Sequence, residues 1–448
     1  MAGKKRLPKD EESVLIEQSA TQRKRLRINK QFPERLRIRG RARAKDRPAW
    51  KEPSKWLLEQ LKQEDDLPEK WATEKQLDDM VSDILAAVYF DIHYVCKLRN
   101  SIKWMKTKSE LAYYRQQIRA AAALVDRAIA REMLVKVNPC FDSSQTHQAQ
   151  QESERVSHFI RILSWKMFAM CALAEAFRRA LHKEDQFVWE SLLHKIYENR
   201  FSIDTFAQSR HLDWQGQLLK HTHHPIPAIR RALIPTVDLS QEHFHHYVVQ
   251  DGHPRKACHL KPQINIADIS VFRPKRFTDG KDPTIRDLER DGLCDLCDAA
   301  HECNCMLVSL AGCLVELVDY PHKGVGIRSL ARFRKGDILA QYVGELQPVD
   351  YYGDDVYALT HESKMISKPL AIISAKRYGN WTRFISHSCD PLTIFTRRTI
   401  GKRTMTVVEV IRDISPFEEI TVDYGRAYWK SRTCLCGEPR CYCKQSTS

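Results

Sequence analysis

The sequence GNWTRFISHSCDP, residues 379–391, decides the fold of this chain. It places an arginine, a histidine and a cysteine in one short segment, as Arg383, His387 and Cys389. Further along, CLCGEPRC at residues 434–441 contributes three closely spaced cysteines. Three thiolates need a fourth ligand to close a tetrahedral zinc site, so this spacing indicates a structural metal site.

Further blocks flank that segment in a fixed order. Upstream, KGVGIR at 323–328, the glycine-rich opening, is followed by YVGEL at 342–346, and downstream lies EEITVDYG at 418–425, the tyrosine block. A Gly-X-Gly turn is weak evidence by itself, because it need only supply a positive φ angle. Taken together with the cysteine tail, the ordered blocks resemble a SET-domain protein lysine methyltransferase. The resemblance covers about residues 290–443.

The resemblance implies S-adenosylmethionine as the cofactor. In the family, the glycine-rich opening lies against the methionine end of the cofactor. The segment that corresponds to residues 379–391, here called the central block, supplies backbone and cationic groups. The predicted cofactor-binding residues at the matching positions are Gly324, Val325, Gly326, Arg383, Ser386, His387 and Tyr424. Ser386 and Leu392 depart from the family, which usually has Asn at these positions.

The resemblance also implies a channel for the target lysine. Methyl transfer needs a neutral amine in line with the methyl group, so catalysis depends largely on positioning and electrostatic complementarity. Tyr424 matches the family's catalytic tyrosine, and Tyr357 matches the tyrosine that shapes the channel. Val422 stands where the family has Phe or Tyr. The smaller side chain leads to the hypothesis of di- or trimethylated products.

The cysteine content favours metal ligation over disulfides. Of the 14 cysteines, nine lie in two tight groups. The resemblance implies one post-SET zinc ion held by Cys389, Cys434, Cys436 and Cys441. It implies one or two further zinc ions in a reduced pre-SET-like cluster of Cys294, Cys297, Cys303, Cys305 and Cys313, with Cys258 and His301 as extra candidates. Isolated Cys96, Cys140 and Cys171 are predicted to be core thiols.

Charge points to a polyanionic partner. The net charge of +15 comes from 72 Lys and Arg against 57 Asp and Glu, which suits nucleic acid or nucleosomes, although a solvated basic surface is the alternative. Residues 1–52 are predicted to be a basic disordered arm for nuclear import or nucleic-acid contact, with a solvated tail as the alternative. No apolar run approaches the roughly 20 residues that span a bilayer, and no secretory signal begins the chain. We therefore expect an intracellular protein without a membrane partner.

The middle of the chain is predicted to be helical first and irregular afterwards. Apolar residues recur at helical spacing from Met80 to Ile92, and Ser153 is predicted to cap a helix running to Phe177. These helices, at 53–200, form either a core or a platform for an unknown protein partner. Residues 201–290 read as an irregular linker region, whose paired histidines, including His245 and His246, are predicted to lie on the surface.

The predicted fold class is α+β, with an N-terminal helical region followed by a mostly β SET domain that has a pseudoknot and zinc-binding flanks. The flanks and domain are assigned to 291–318 (pre-SET-like), 319–428 (SET) and 429–448 (post-SET). The predicted function is methylation of a histone tail or nucleosome in the nucleus, on the chromosome. Two alternatives stay open: a catalytically weak chromatin scaffold, and a methyltransferase of a non-histone protein.

Overall fold

The computed structural model describes most of the chain beyond residue 73. The described residues are 74–100, 108–137, 147–183, 186–218, 245–249, 264–266, 269–321, 323–351, 353, 356–430 and 432–444. The predicted basic arm, Cys140 and Cys258 lie outside them, and so do the paired histidines other than His245 and His246. No helix in the described part of the chain is long and apolar enough to cross a membrane.

Helices make up the first half of the described chain. They are α1 (Glu74–Asn100), α2 (Lys108–Val137), α3 (His147–Leu163), α4 (Trp165–Cys171), α5 (Glu175–Lys183), α6 (Gln186–Glu198), α7 (Arg200–Ser209) and α8 (Trp214–Leu218). The helices thus continue past residue 200 into the segment predicted to be a linker. The expected apolar face of α1 is buried, and so are Cys96 and Cys171.

Ser153 does not cap a helix, contrary to the prediction, because it lies inside α3. The break comes later, at Ser164, whose φ of 106° takes the chain out of the helix. The Ser164 hydroxyl accepts a hydrogen bond from the Met167 amide at 3.4 Å and so begins α4. The turn lets Phe159 pack edge-to-face against Phe168, with ring centroids 5.6 Å apart. Such aromatic burial contributes about 1.5–3 kcal/mol per side chain to stability.

Short strands follow, with one short helix, α9 (Leu288–Asp291), among them. They are β1 (Tyr247–Val249), β2 (Ile264–Asn265), β3 (Val315–Tyr320), β4 (Gly324–Ser329), β5 (Ile338–Gln341), β6 (Glu345–Gln347), β7 (Ala358–Glu362), β8 (Pro369–Ser374), β9 (Tyr378–Gly379), β10 (Ser386–His387), β11 (Thr393–Ile400), β12 (Arg403–Val410) and β13 (Glu419–Val422). The main sheet has the order β1-β3-β4-β13-β11-β12-β5. A smaller antiparallel sheet has the order β6-β8-β7, and β2 pairs with β9.

Strand pairing brings the sequence blocks together. β10 runs parallel to β13, with Ser386 opposite Thr421 and His387 opposite Val422. β13 is in turn antiparallel to β4, where Ile420 lies opposite Ile327. The glycine-rich opening, the central block and the tyrosine block therefore meet at one place in the sheet. The predicted α+β class, with helices first and a mostly β domain after them, is confirmed.

A buried polar network joins the helices to the main sheet. Glu316 on β3 is fully buried and accepts hydrogen bonds from Ser202 of α7 and from Arg328 of β4, each at 2.6 Å. Arg328 also donates to Asn199 Oδ1 at 3.1 Å. Burial alone would raise the pKa of the Glu316 carboxyl, but the charges of Arg328 and His246 outweigh burial and lower that pKa to about 2. Breaking one partner would leave a buried charge uncompensated.

The prediction that the paired histidines lie on the surface is wrong for His246. Its side chain is buried against the helices, and its Nε2 contacts the Glu316 carboxylate. His245 is half-buried, and its Nε2 contacts the Gly312 carbonyl oxygen at 2.5 Å. The helices and the sheet share one hydrophobic core, so these polar side chains are enclosed where the two meet.

Candidate cofactor pocket and metal centres

A cavity of about 470 Å³ opens between β4, β10 and the tail that follows β13. Ligand pockets in proteins typically enclose roughly 300–1,000 Å³, so the cavity is large enough for a small organic cofactor. Six of the predicted catalytic and cofactor-binding residues line it, and so does the predicted zinc ligand Cys436; the six are Val325, Tyr357, Arg383, Ser386, His387 and Tyr424. Sequence blocks that lie far apart along the chain therefore contribute to a single cavity.

The glycine-rich opening forms the edge of this cavity. Val325 lines the cavity, whereas its neighbours on β4, Gly324 and Gly326, are not among the lining residues. A Cβ atom at Gly326 would lie 2.8 Å from Ser386 Oγ and 2.9 Å from Glu419 Oε1. No side chain fits there without displacing a neighbour, so glycine keeps the strand backbone close to β10.

Tyr424 is held in place from two sides. Its hydroxyl donates a hydrogen bond to the Ile385 carbonyl oxygen at 2.6 Å, and its amide donates to His387 Nδ1 at 3.1 Å. Burial raises the pKa of the Tyr424 phenol well above its usual value, and the nearby Tyr428 raises it further. The phenol is therefore neutral at physiological pH.

Tyr357 and Arg383 form the opposite part of the wall. The buried Arg383 guanidinium lies 4.8 Å from the Tyr357 ring centroid and donates to the Ala375 carbonyl oxygen at 3.3 Å. The Tyr342 hydroxyl donates to the Tyr357 carbonyl oxygen at 2.9 Å. These contacts fix Tyr357 through both its ring and its backbone.

Aromatic residues after β13 complete the cavity. The Tyr428 ring centroid lies 5.0 Å from that of Tyr424 and 4.9 Å from that of Trp429. Arg432 and Leu435 also line the cavity. Sequence reasoning missed Trp429, Arg432 and Leu435. The run AYW before the cysteine tail was the available signal, since exposed aromatic clusters are uncommon without a packing or binding role.

The downstream cysteines converge as predicted from the resemblance. The sulfur atoms of Cys389, Cys434, Cys436 and Cys441 all lie within 4.8 Å of one another. Cys389 Sγ is 3.6 Å from Cys441 Sγ and 4.0 Å from Cys434 Sγ. Tetrahedral zinc with Zn–S bonds of about 2.3 Å requires sulfur atoms about 3.8 Å apart, so the four thiols fit a zinc ion.

His387 and Cys443 form an overlapping group with Cys389 and Cys434. However, His387 Nδ1 accepts the Tyr424 amide, so a neutral His387 ring carries its proton on Nε2. That Nε2 lies 3.3 Å from Cys389 Sγ and can donate to the sulfur. A protonated nitrogen cannot ligate zinc, so His387 would not bind the metal itself but would hydrogen-bond to the ligand Cys389. Cys443, 3.6 Å from Cys389 Sγ, is left as an extra thiol.

The upstream cysteines form a second group. The sulfur atoms of Cys294, Cys297, Cys303 and Cys305 lie within 4.8 Å of one another, which fits one zinc ion. Gly401, in the turn between β11 and β12, donates its amide to Cys294 Sγ at 3.4 Å. The group therefore holds the end of the β11–β12 hairpin.

Cys313 does not join the upstream group, contrary to its predicted place there. It packs against the core shared with the helices, and its carbonyl oxygen accepts a hydrogen bond from Arg210 at 2.8 Å. Burial raises the pKa of the Cys313 thiol. Its position directly before β3 carries it away from the Cys294–Cys305 segment, and His301 is also absent from the described group.

Comparison with known proteins identifies the domain around the cavity. Residues 324–425 match the family described as SET domain, so the predicted resemblance is confirmed. Similar proteins include "Histone-lysine N-methyltransferase, H3 lysine-9 specific SUVH1" of Nicotiana tabacum, 32% identical over 148 residues, or 28% of this chain and 21% of the relative. "Histone-lysine N-methyltransferase, H3 lysine-36 specific" of Debaryomyces hansenii is 30% identical over 137 residues, or 28% of this chain and 18% of the relative. "Histone-lysine N-methyltransferase EHMT1" of Homo sapiens is 31% identical over 129 residues, or 26% of this chain and 10% of the relative.

The matches are confined to part of each protein. This chain spans between 10% and 21% of the length of these relatives. The similarity therefore concerns a domain and leaves most of each chain unmatched.

Proposed function

We propose that this chain is an S-adenosylmethionine-dependent protein lysine methyltransferase that acts on a histone in chromatin. The observation that carries the proposal is the single cavity in which the predicted cofactor residues meet Tyr424 and Tyr357. The three relatives are each named as a histone-lysine N-methyltransferase, which supports this reaction and a histone substrate. Under this proposal the protein acts in the nucleus, on the chromosome.

The cavity suits an adenosyl cofactor in size and in the character of its walls. Gly326 lets β4 pack closely against Ser386 of the cavity wall, Val325 offers an apolar contact, and the Arg383 guanidinium supplies a buried cation. When bound, S-adenosylmethionine supplies an activated methyl group. The downstream zinc would hold the tail against the cavity through Cys389, Cys434, Cys436 and Cys441, with one further zinc in the upstream group.

Tyr424 would orient the target amine and would not remove its proton. Its phenol is neutral because burial raises its pKa, and its hydrogen is donated to the Ile385 carbonyl. The phenol oxygen can therefore accept a hydrogen bond from the substrate N–H and turn the amine lone pair toward the methyl group. Rate acceleration then comes from positioning and fixed dipoles.

The number of methyl groups is tied to Val422 in our proposal. Val422 is fully buried opposite His387, where a larger aromatic side chain would reduce the space behind the cavity. We expect di- or trimethyl-lysine as the final product. Mass spectrometry that finds only monomethyl-lysine at exhaustive enzyme would contradict this expectation.

The relatives differ in the lysine that their names specify. One is named for lysine 9 of histone H3 and another for lysine 36. The target lysine must therefore be measured. Incubating the purified full chain with labelled S-adenosylmethionine and recombinant nucleosomes, followed by peptide mapping, would identify it.

The matched variants are Tyr424→Phe and Tyr197→Phe, since Tyr197 lies exposed on α6, outside the cavity. We expect loss of about 100-fold or more in methyl transfer for Tyr424→Phe, because the lost hydrogen bonds misplace the amine. Tyr197→Phe should keep wild-type activity. Transfer to a non-histone protein in cell extract, with nucleosomes unmodified, would reject the histone substrate, and equal activity of both variants would reject the role of Tyr424.

A further inference from the structure

Two arginines contact Tyr378 on the surface of the SET domain, and three further cations lie next to them in the chain or share their carboxylate partner. The Arg273 guanidinium donates to the Tyr378 hydroxyl at 3.2 Å, and the Arg377 guanidinium lies 5.4 Å from the Tyr378 ring centroid. Arg276 approaches the same Glu345 carboxylate oxygen as Arg273, at 3.4 Å and 2.6 Å. The remaining members are their chain neighbours. We call this set the Tyr378 basic patch: Arg273, Lys275, Arg276, Lys376 and Arg377.

The patch carries an excess of positive charge. All five side chains are exposed, and Glu345 is the acidic residue that pairs with two of them. Within the part of the chain that the structure describes, no acidic side chain forms an ion pair with Lys275, Lys376 or Arg377. One carboxylate cannot neutralise five cations, so the patch keeps a net positive charge that attracts anions.

The β11–β12 hairpin shows the contrasting arrangement. Arg397 pairs with Glu362 at 2.8 Å, Lys402 pairs with Glu302 at 2.8 Å, and Arg403 pairs with Asp282 at 2.7 Å. There each of these cations has its own carboxylate. The Tyr378 basic patch therefore differs from this hairpin in having more cations than carboxylates.

Arg383 connects the patch to the cavity. Arg383, which lines the cavity, donates to the carbonyl oxygens of Ala375 and Lys376 at 3.3 Å and 3.5 Å. Lys376 leads directly into Arg377 and Tyr378. A molecule bound to the patch would therefore lie beside the cavity.

We propose that the Tyr378 basic patch binds the phosphate backbone of double-stranded DNA. Arginine and lysine side chains supply most phosphate contacts in protein–DNA complexes, and the net charge of +15 adds long-range attraction to a polyanion. The patch consists of exposed cationic side chains, and contacts with phosphate carry no sequence information, so we expect binding that is independent of base sequence. The inference depends on the charge of the patch and holds whichever reaction the cavity performs.

The test compares variants of the full chain by fluorescence anisotropy with a short DNA duplex across a salt series. The patch variant combines Lys275→Gln, Lys376→Gln and Arg377→Gln. Each lost phosphate contact reduces the salt slope by about 0.9, so the slope should fall by roughly 2–3 and affinity by roughly tenfold or more at about 0.1 M salt.

Two matched variants keep the test specific. Arg127→Gln, Arg161→Gln and Lys402→Gln remove the same charge from exposed sites on α2, α3 and the hairpin turn, and should bind like wild type. Lys275→Arg, Lys376→Arg and Arg377→Lys preserve the patch charge and should also bind like wild type. The proposal is overturned by an unchanged salt slope in the patch variant, by an equal loss in the distant variant, or by a loss confined to single-stranded RNA.

Discussion

Each of the two cysteine groups offers four thiols, but the groups are assembled from the chain in different ways. The upstream group takes all its members from residues 294–305. The downstream group combines Cys389, at the end of the central block, with three cysteines of the tail at 434–441. A metal ion upstream would close a short loop, whereas a metal ion downstream would close a long one and tie two separate segments together.

The groups also contact different parts of the domain. Upstream, Asp295 exchanges hydrogen bonds with the Thr399 backbone, at 2.7 Å and 2.6 Å, and so holds the β11–β12 hairpin. Downstream, Cys436 lines the cavity, and His387 connects Cys389 to the Tyr424 amide. With metal bound, identical ligand chemistry would therefore support the hairpin in one place and the proposed reacting centre in the other.

The largest effect is expected from removing a downstream ligand. Cys434→Ser should release zinc, detach the tail from the cavity and lower methyl transfer by about 100-fold or more, because the positioning of Tyr424 and Trp429 is lost. Metal analysis and a methyl-transfer assay on the same preparation measure both effects. Retention of activity after the zinc is lost would break the link between this group and the cavity.

A smaller functional effect is expected upstream. Cys297→Ser should release the other zinc and lower the free energy of unfolding by roughly 3 kcal/mol, because the hairpin end loses its support. Thermal unfolding and activity well below the melting temperature separate the two consequences. If activity per folded molecule fell as far as in Cys434→Ser, the two groups would not differ as described.

A substitution at Gly401 tests the contact between the upstream group and the hairpin without replacing any of the cysteines. Its φ is +65°, and a Cβ atom there would collide with the Cys305 carbonyl oxygen. Gly401→Ala should therefore destabilise the domain by roughly 1–3 kcal/mol while zinc stays bound. Chemical denaturation with metal analysis is the measurement, and an unchanged midpoint would show that the hairpin turn does not depend on this close packing.

The smallest effect is expected from Cys443→Ser. This thiol lies next to Cys389, but the four other downstream cysteines already complete a tetrahedron. Zinc content and activity should stay within twofold of wild type, whereas the matched Cys436→Ser should lose zinc as Cys434→Ser does. Loss of zinc in Cys443→Ser with zinc retained in Cys436→Ser would show that Cys443, and not Cys436, is the fourth ligand.

Local motifs made much of the domain predictable. Fixed spacings such as CLCGEPRC and GNWTRFISHSCDP constrain nearby backbone, so the cysteine tail and the segment through Arg383 and His387 were identifiable from sequence. The zinc stoichiometry, the cofactor contacts and the catalytic roles stay predictions. Cys313 was misplaced because spacing alone could not show that the chain turns into β3 after the Cys294–Cys305 segment.

Long-range contacts had no comparable signal. Glu316 and Arg328 are cross-strand partners on β3 and β4, but Ser202 reaches Glu316 only because α7 packs against the sheet, and no local pattern marks a glutamate as buried. His246 appeared to be one of several surface histidines, yet it is enclosed by the same contact. Likewise, Trp429 reaches the cavity only through the fold of the tail, which depends on Cys389 in a distant block.

The most direct test of the account is calorimetric titration of S-adenosylmethionine into the zinc-loaded full chain. We predict one binding site per chain, lost in Gly326→Val, since a side chain there would meet Ser386 Oγ at 2.8 Å. Circular dichroism would show that the variant is folded. Absence of binding to the folded, zinc-loaded wild-type protein would contradict the assignment of this cavity to the cofactor.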